Sequence, residues 1–285
     1  MDRTQLRSVL GDELFALAND LPSGVVDIEP LVGRGPRSSF RLTLADGQVL
    51  KAKRLANAAD ARRVAALLHV LGHPAFPTVL RRRGASILTP WIPGRSLDRT
   101  DTDADLLRTC GAIHAVIHCQ PAPSGATRVR WRSRTDREAR LQRDLDALVD
   151  AGWLARGEAA AALVVADRHA PEDWGVGIVH NDFHAENMIR TAADGVVVVD
   201  NETMSIGALA YDLARTWYRW PMSEAQRVAY LEGYRRLGST EELEHHFPFW
   251  VVTVLARGAA FRLRAGRCGI AEPIARLREQ LEIRD

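Results

Sequence analysis

The feature that most constrains this chain's fold is a change of hydrophobic period near Pro93-Gly94. Upstream, apolar residues alternate with polar ones at a spacing of two, the mark of half-buried strands. Downstream they recur at three and four, the mark of amphipathic helices. Residues 39–44 and 48–54 flank Asp46-Gly47, a strong hairpin signal. Strands are expected at 25–31, 78–82 and 85–91. Helices are expected at 4–19, where Leu6, Val9, Leu10, Leu14 and Leu17 share a face, and at 60–71, ending at Gly72. Beyond Pro93-Gly94, helices are expected at 106–118, 135–154 and 158–168, and from 223 to 283 with breaks at Gly238, Pro248, Gly266 and Pro273. Between these lie a loop at 178–190 and a strand at 195–200. The order predicts an α+β chain, with a β-rich lobe over residues 1–92 and a larger helical lobe over 93–285.

Bulk properties exclude several classes. The chain has 285 residues, of which 46% are hydrophobic and 26% charged. That is enough to bury a core without disulfides or structural metals. A net charge of +2 gives no field that would draw the chain to nucleic acid or membrane. No window approaches about 18 consecutive apolar residues, and the first nineteen residues carry charge without an apolar signal segment. Cys110, Cys119 and Cys268 are odd in number and far apart, which fits a reducing, cytoplasmic setting. A monomer or a homodimer is expected. The basic run at 128–134 reads as a solvated surface loop.

Two local features carry chemistry. Lys51 and Lys53 are the only lysines, in a chain that otherwise uses arginine, and both fall on one predicted strand. Further on, His180-Asn181-Asp182-Phe183-His184-Ala185-Glu186-Asn187 places four residues between Asp182 and Asn187. That is the spacing at which a kinase loop sets a carboxylate on the attacking hydroxyl and an amide oxygen on magnesium. Four valines, 196–199, then read as a buried strand delivering Asp200. His180 and His184 lack a third zinc ligand at a suitable spacing.

These motifs, with Tyr211-Asp212-Leu213-Ala214 and Trp91-Ile92-Pro93-Gly94, resemble the aminoglycoside phosphotransferase and choline kinase superfamily over most of residues 31–220. The resemblance implies a protein-kinase-like two-lobe fold and transfer of the γ-phosphoryl group of ATP or GTP to a hydroxyl, with Mg²⁺. It makes Asp182 the base and Asn187 and Asp200 the metal ligands. Gly33, Gly35, Ser38 and Ser39 fall at the phosphate-covering loop, and Lys51 at the phosphate-binding lysine. Val49, Leu88, Thr89 and Trp91 fall around the nucleotide base. His180 braces the loop, Asp212 ties it down, and His114 matches the family's helical histidine. The family's lysine pairs with a glutamate on the next helix. That helix has none here, which leaves Asp60 as its stand-in.

The acceptor is a small hydroxylated molecule: an antibiotic, in which case the chain confers resistance, a sugar or an amino alcohol. Glu186, Glu202 and Trp217 are candidate acceptor contacts. From residue 93 onward the chain has 28 acidic residues against 25 arginines, and the tryptophans offer an aromatic surface, both suited to an amine. The alternative is a non-catalytic nucleotide-binding scaffold of the same fold. A protein kinase is disfavoured, because no Asp-Phe-Gly or Ala-Pro-Glu follows Asp200.

Overall fold

The period-two region becomes one antiparallel sheet. The computed structural model describes residues 3–31, 38–122 and 133–282. They divide into two units: Met1–Asp98 with Glu186–Met204, and Arg99–Ala185 with Ser205–Asp285. The expected single cut after residue 92 therefore meets two units of two stretches each.

In the first unit, β1 (Val25–Leu31), β2 (Ser39–Leu44), β3 (Val49–Arg54), β4 (Arg81–Arg83) and β5 (Ser86–Pro90) run in the order β1-β2-β3-β5-β4. The β2–β3 hairpin closes at Asp46, which accepts from Ser23 Oγ and the Gln48 N–H, with Gly47 at φ +83°. Alternation then sorts the faces. Leu42, Leu50, Ala52 and Leu88 pack on Leu10, Leu14 and Leu17 of α1 (Arg3–Asn19). The opposite face presents Lys51, Lys53, Ile87 and Thr89. Helix α2 (Ala58–Leu71) starts where Asn57 accepts the Asp60 N–H and stops at Gly72 in the left-handed region, a capped helix at both ends.

Three short strands complete this unit: β6 (Arg95–Ser96), β8 (Met188–Arg190) and β9 (Val196–Val198), in the order β6-β8-β9. The Pro93-Gly94 segment thus pairs with chain nearly a hundred residues away. Gly94 is required there, since a Cβ would lie 2.3 Å from the Arg190 carbonyl oxygen.

The second unit is helical apart from β7 (Val176–Val179), antiparallel to β10 (Ser205–Ala208). Its helices are α3 (Ala104–Cys119), α4 (Arg134–Asp150), α5 (Arg156–His169), α6 (Leu209–Arg219), α7 (Glu224–Tyr234), α8 (Glu241–His245), α9 (Phe247–Arg264) and α10 (Ala271–Glu282). The breaks expected at Pro248 and Pro273 fall just before them: both prolines lie in the first turns of α9 and α10, where a missing N–H costs no helical bond. Trp217, Trp220 and Trp250 are buried, so these tryptophans form no surface for an amine. Arg137 lies between the rings of Trp174 and Trp250, 4.1 and 4.2 Å from their centres. Burial pushes its pKa down to about 9.

Helices α3 and α7 cross at bare glycine. A Cβ on Gly233 would sit 1.9 Å from the Arg108 carbonyl oxygen, and backbone cannot move aside as a side chain can. Gly233→Ala is expected to cost roughly 1–3 kcal/mol and lower the melting temperature by several degrees. Gly157→Ala, at a helical position with nothing within 4 Å, should be neutral or stabilising. Thermal denaturation of the two variants checks the contrast.

Candidate active site

In the first unit, the face of β3 opposite the core carries the charge. Lys51 Nζ is 2.8 Å from Asp200 Oδ1; Lys53 Nζ is 2.9 Å from the same oxygen and 2.6 Å from Glu202 Oε2. Asp200 follows β9 at φ +59°, a left-handed conformation that Asp tolerates. Burial works to raise its pKa, yet Lys53 and then Lys51 hold it well below the usual range. For Lys53, burial opposes the charge, and Asp200 and Glu202 outweigh it, so its pKa is raised. The cluster lines a cavity of about 220 Å³ whose apolar wall includes Leu31, Ile87, Trp91 and Ile189. A charged end and an apolar end suit a nucleotide.

In the second unit, a buried carboxylate organises the loop that carries Asp182. Asp212 Oδ2 accepts the His180 N–H at 2.7 Å, and Oδ1 accepts the Asn181 N–H at 2.7 Å. Nε2 of His114 and Nε2 of His118 also reach Oδ2, at 3.0 and 3.2 Å. Their Nδ1 atoms lie 2.6 and 2.7 Å from the hydroxyls of Tyr230 and Tyr234. Asp212 can only accept, so both imidazoles donate to it through Nε2–H; in neutral His114, Nδ1 is left to accept from the Tyr230 hydroxyl. Asn181 lies at φ +63°, which Gly or Asn adopts at least cost.

Asp182 faces two guanidinium groups. Arg219 Nε is 3.5 Å and Arg215 Nη2 3.6 Å from its Oδ1, and His184 Nε2 is 3.5 Å from Oδ2. Arg219 Nη2 also lies 2.9 Å from His184 Nε2. An arginine can only donate, so that nitrogen accepts and does not also donate to Asp182. Burial would raise the Asp182 pKa; the neighbouring His184 and the two arginines bring it well below the usual range. Given the His184 acceptor geometry, the arginines are the groups that keep it ionised.

Lys51, Lys53, Thr89, Trp91, Glu186, Asp200 and Glu202 line one cavity. Leu88 does not. The strand's alternation turns it into the α1 core, fully buried, so its expected contact with a nucleotide is corrected. Val49 shares the lysine face, and its carbonyl accepts the Trp91 N–H. Asp60 is not the partner of Lys51: its carboxylate takes Arg63 and Asn57. Arg63 in turn donates to the carbonyls of Glu202 and Met204, so an arginine ties α2 to the segment after Asp200. Asn187 is buried, and its carbonyl accepts the Val199 N–H. Ser39 pairs with Lys53 in the β2–β3 ladder, and the Ser38 carbonyl accepts the Arg54 N–H. Trp217 packs on Phe247 beside a second cavity, away from the α6 face that meets Asp182. Gly33, Gly35 and residues 128–132 lie outside the described residues. Sequence reasoning missed Arg215, Arg219 and His118. The signal was present, since Asp212, Arg215 and Arg219 share one face at spacings of three and four.

The sequence profile of the phosphotransferase enzyme family matches residues 27–246. No curated protein matches the sequence. Among solved structures, macrolide 2′-phosphotransferase MphH from Brachybacterium faecium superposes with a TM-score of 0.69 at 17% identity, over 96% of this chain and 97% of that one. Choline kinase LicA from Streptococcus pneumoniae gives 0.64 at 14% identity, over 98% and 97%. An ethanolamine kinase from Plasmodium vivax gives 0.65 at 10%, over 90% and 82%. All share the α+β fold.

Buried His114 sets a pH dependence. Burial, with His118 adding to it, pushes the His114 pKa down to about 4 against the opposing pull of Asp212. Unfolded, it titrates near 6.5. Between those values the unfolded chain binds a proton that the folded chain excludes, so stability rises with pH through this window and falls on acidification. His114→Gln should shrink the stability lost between pH 7 and 4.5 by about 2–3 kcal/mol. Denaturant titrations at the two pH values measure it; an unchanged loss contradicts the assignment.

Proposed function

The chain belongs to the phosphotransferase enzyme family, and on that premise we propose that it is a small-molecule kinase transferring the γ-phosphoryl group of ATP or GTP to an alcohol. The reading rests on one conjunction: an ionised carboxylate at Asp182, followed along the chain by a carboxylate on two lysines at Asp200. Asn187 and Asp200 offer oxygen donors, which suit a hard divalent cation such as Mg²⁺ and not zinc. Bound magnesium would draw charge from the phosphate oxygens and leave the terminal phosphorus open to attack. Lys51 and Lys53 supply the ammonium charge a polyphosphate needs, with Lys51 at the register of the family's phosphate lysine.

Asp182 accepts the proton of the acceptor hydroxyl as its oxygen attacks. Its low pKa keeps it ionised at neutral pH, so it acts by orienting the hydroxyl and taking the proton late, not as a strong base. Asp212 holds the backbone of His180 and Asn181 and thereby aims Asp182. The acceptor is an antibiotic, a sugar or an amino alcohol; the named structural relatives are a macrolide phosphotransferase, a choline kinase and an ethanolamine kinase. The missing acid partner of Lys51 on α2 favours a second reading, a nucleotide-binding scaffold without turnover. The retained Asp182, Asn187 and Asp200 weigh against it.

Asp182→Asn should lower kcat by roughly a hundred- to ten-thousand-fold while Mg·ATP still binds. Release of ADP or GDP across a panel of hydroxyl compounds, with and without EDTA, is the assay. Activity of the variant within tenfold of the parent, or full activity in EDTA, would remove this mechanism.

A further inference from the structure

Lys51 and Lys53 share one face of β3 but sit in unequal surroundings. Side-chain exposure falls from 40% at Asp200 to 21% at Lys51, 17% at Glu202 and 12% at Lys53. Lys51 and Asp200 therefore form the outer pair of the cluster, and Lys53 and Glu202 the inner one. Asp200 Oδ1 bridges the two ammonium groups, at 2.8 and 2.9 Å. Lys53 has a second carboxylate, Glu202, at 2.6 Å. Among the described residues, Asp200 is the one acid that Lys51 touches.

Helix α2 gives neither lysine a partner. Its one acid, Asp60, takes Arg63 and Asn57. The acid of the inner pair comes from the turn Asn201–Thr203, which follows Asp200 directly. That turn is held at two points. Arg63 binds its backbone, donating to the carbonyls of Glu202 at 3.1 Å and Met204 at 2.9 Å. Lys53 binds its side chain, donating to Glu202. Asp200 itself lies at φ +59°, a conformation that persists where the surrounding structure imposes it. Holding Glu202 thus fixes the direction in which the Asp200 carboxylate leaves the chain.

Two acids and two lysines balance one for one in this cluster. An Asp200 engaged on a divalent cation can no longer satisfy both ammonium groups. Lys53 then still has Glu202. Lys51 keeps no acid among the described residues, and its ammonium is free to meet phosphate oxygens. Opening the inner pair would strand a buried charge, whereas the more exposed outer pair exchanges partners at small cost. We propose that Lys53 and Glu202 form a lasting pair that positions Asp200, and that Lys51 alone passes from Asp200 to the nucleotide phosphates. The proposal rests on the kinase reading above and divides the work of the two lysines within it. Both contribute to the field a polyphosphate meets; only Lys51 makes contact. Glu202 is thereby assigned to Lys53 and not to the acceptor. Lys53 and Glu202 are positioning residues, since neither touches the reacting atoms.

The chain has no other lysine, so protein labelled with ε-¹³C-lysine gives two lysine side-chain signals by NMR, which Lys51→Arg assigns. Titrating the full chain with ATP, first in EDTA and then with Mg²⁺, should move the Lys51 signal at least threefold further than the Lys53 signal. In the free protein, Glu202→Gln should move the Lys53 signal further than that of Lys51. Calorimetry then reads the positioning role. Glu202→Gln and Lys53→Met should each cut the gain in ATP affinity brought by Mg²⁺ from at least tenfold to below threefold, and the double variant should lose no more than either single one. By charge alone, losing a cation beside Asp200 would strengthen metal binding, so a smaller gain in Lys53→Met reports position. ATP that binds and moves Lys53 more than Lys51, or moves neither, overturns the proposal while the kinase reading stands. So does a gain that Lys53→Met leaves intact or enlarges, or an additive loss in the double variant, which would make Glu202 a direct metal contact. The titration of the parent chain decides the phosphate contact whether or not the Lys53 variant folds. A parent chain that binds no ATP at all removes the kinase reading, and this proposal with it.

Discussion

Most of the second unit's chemistry depends on one buried carboxylate. Asp212 collects two backbone N–H groups and two imidazole N–H groups with almost no solvent access. A buried carboxylate without donors would be protonated or would destabilise the fold; with four donors it stays charged, its pKa held well below the usual range against the effect of burial. The donors come from α3 and from the turn after β7. One side chain of α6 therefore fixes where that turn sits and where Asp182 points. The tyrosines of α7 extend the network outward through the Nδ1 atoms of both histidines.

Local backbone geometry follows from the same economy. Asn181 and Asp200 both take left-handed φ values, and both residue types tolerate them because a short polar side chain can bond locally. Asn181 does so through Nδ2 to Ser205 Oγ at 2.9 Å. Each such position directs a functional side chain out of a strand or turn, and local strain of this kind is common where a side chain must be aimed.

Much of this was legible in the sequence. The hairpin at Asp46-Gly47, the stop at Gly72 and the valine strand before Asp200 each rest on interactions within a few residues, which is the range over which sequence patterns speak. The return of Glu186–Met204 to the first unit was not legible, because β6 pairs with β8 across a separation that no local pattern records. Leu88 was set on the nucleotide side with Thr89 by the family resemblance, yet alternation sends adjacent residues to opposite faces. Asp60 was the only acid available on α2, and composition could not reveal that Arg63 already held it. Arg215 and Arg219 share a face with Asp212 by their spacing, but only the fold brings that face to Asp182.

The account stands on Asp200 and its lysines forming a magnesium–nucleotide site, and calorimetric titration of ATP into the chain tests that most directly. Binding should tighten at least tenfold when Mg²⁺ replaces EDTA, and Asp200→Ala should abolish that gain. An intact chain that binds no nucleotide, or binds it equally well without metal, would contradict the account.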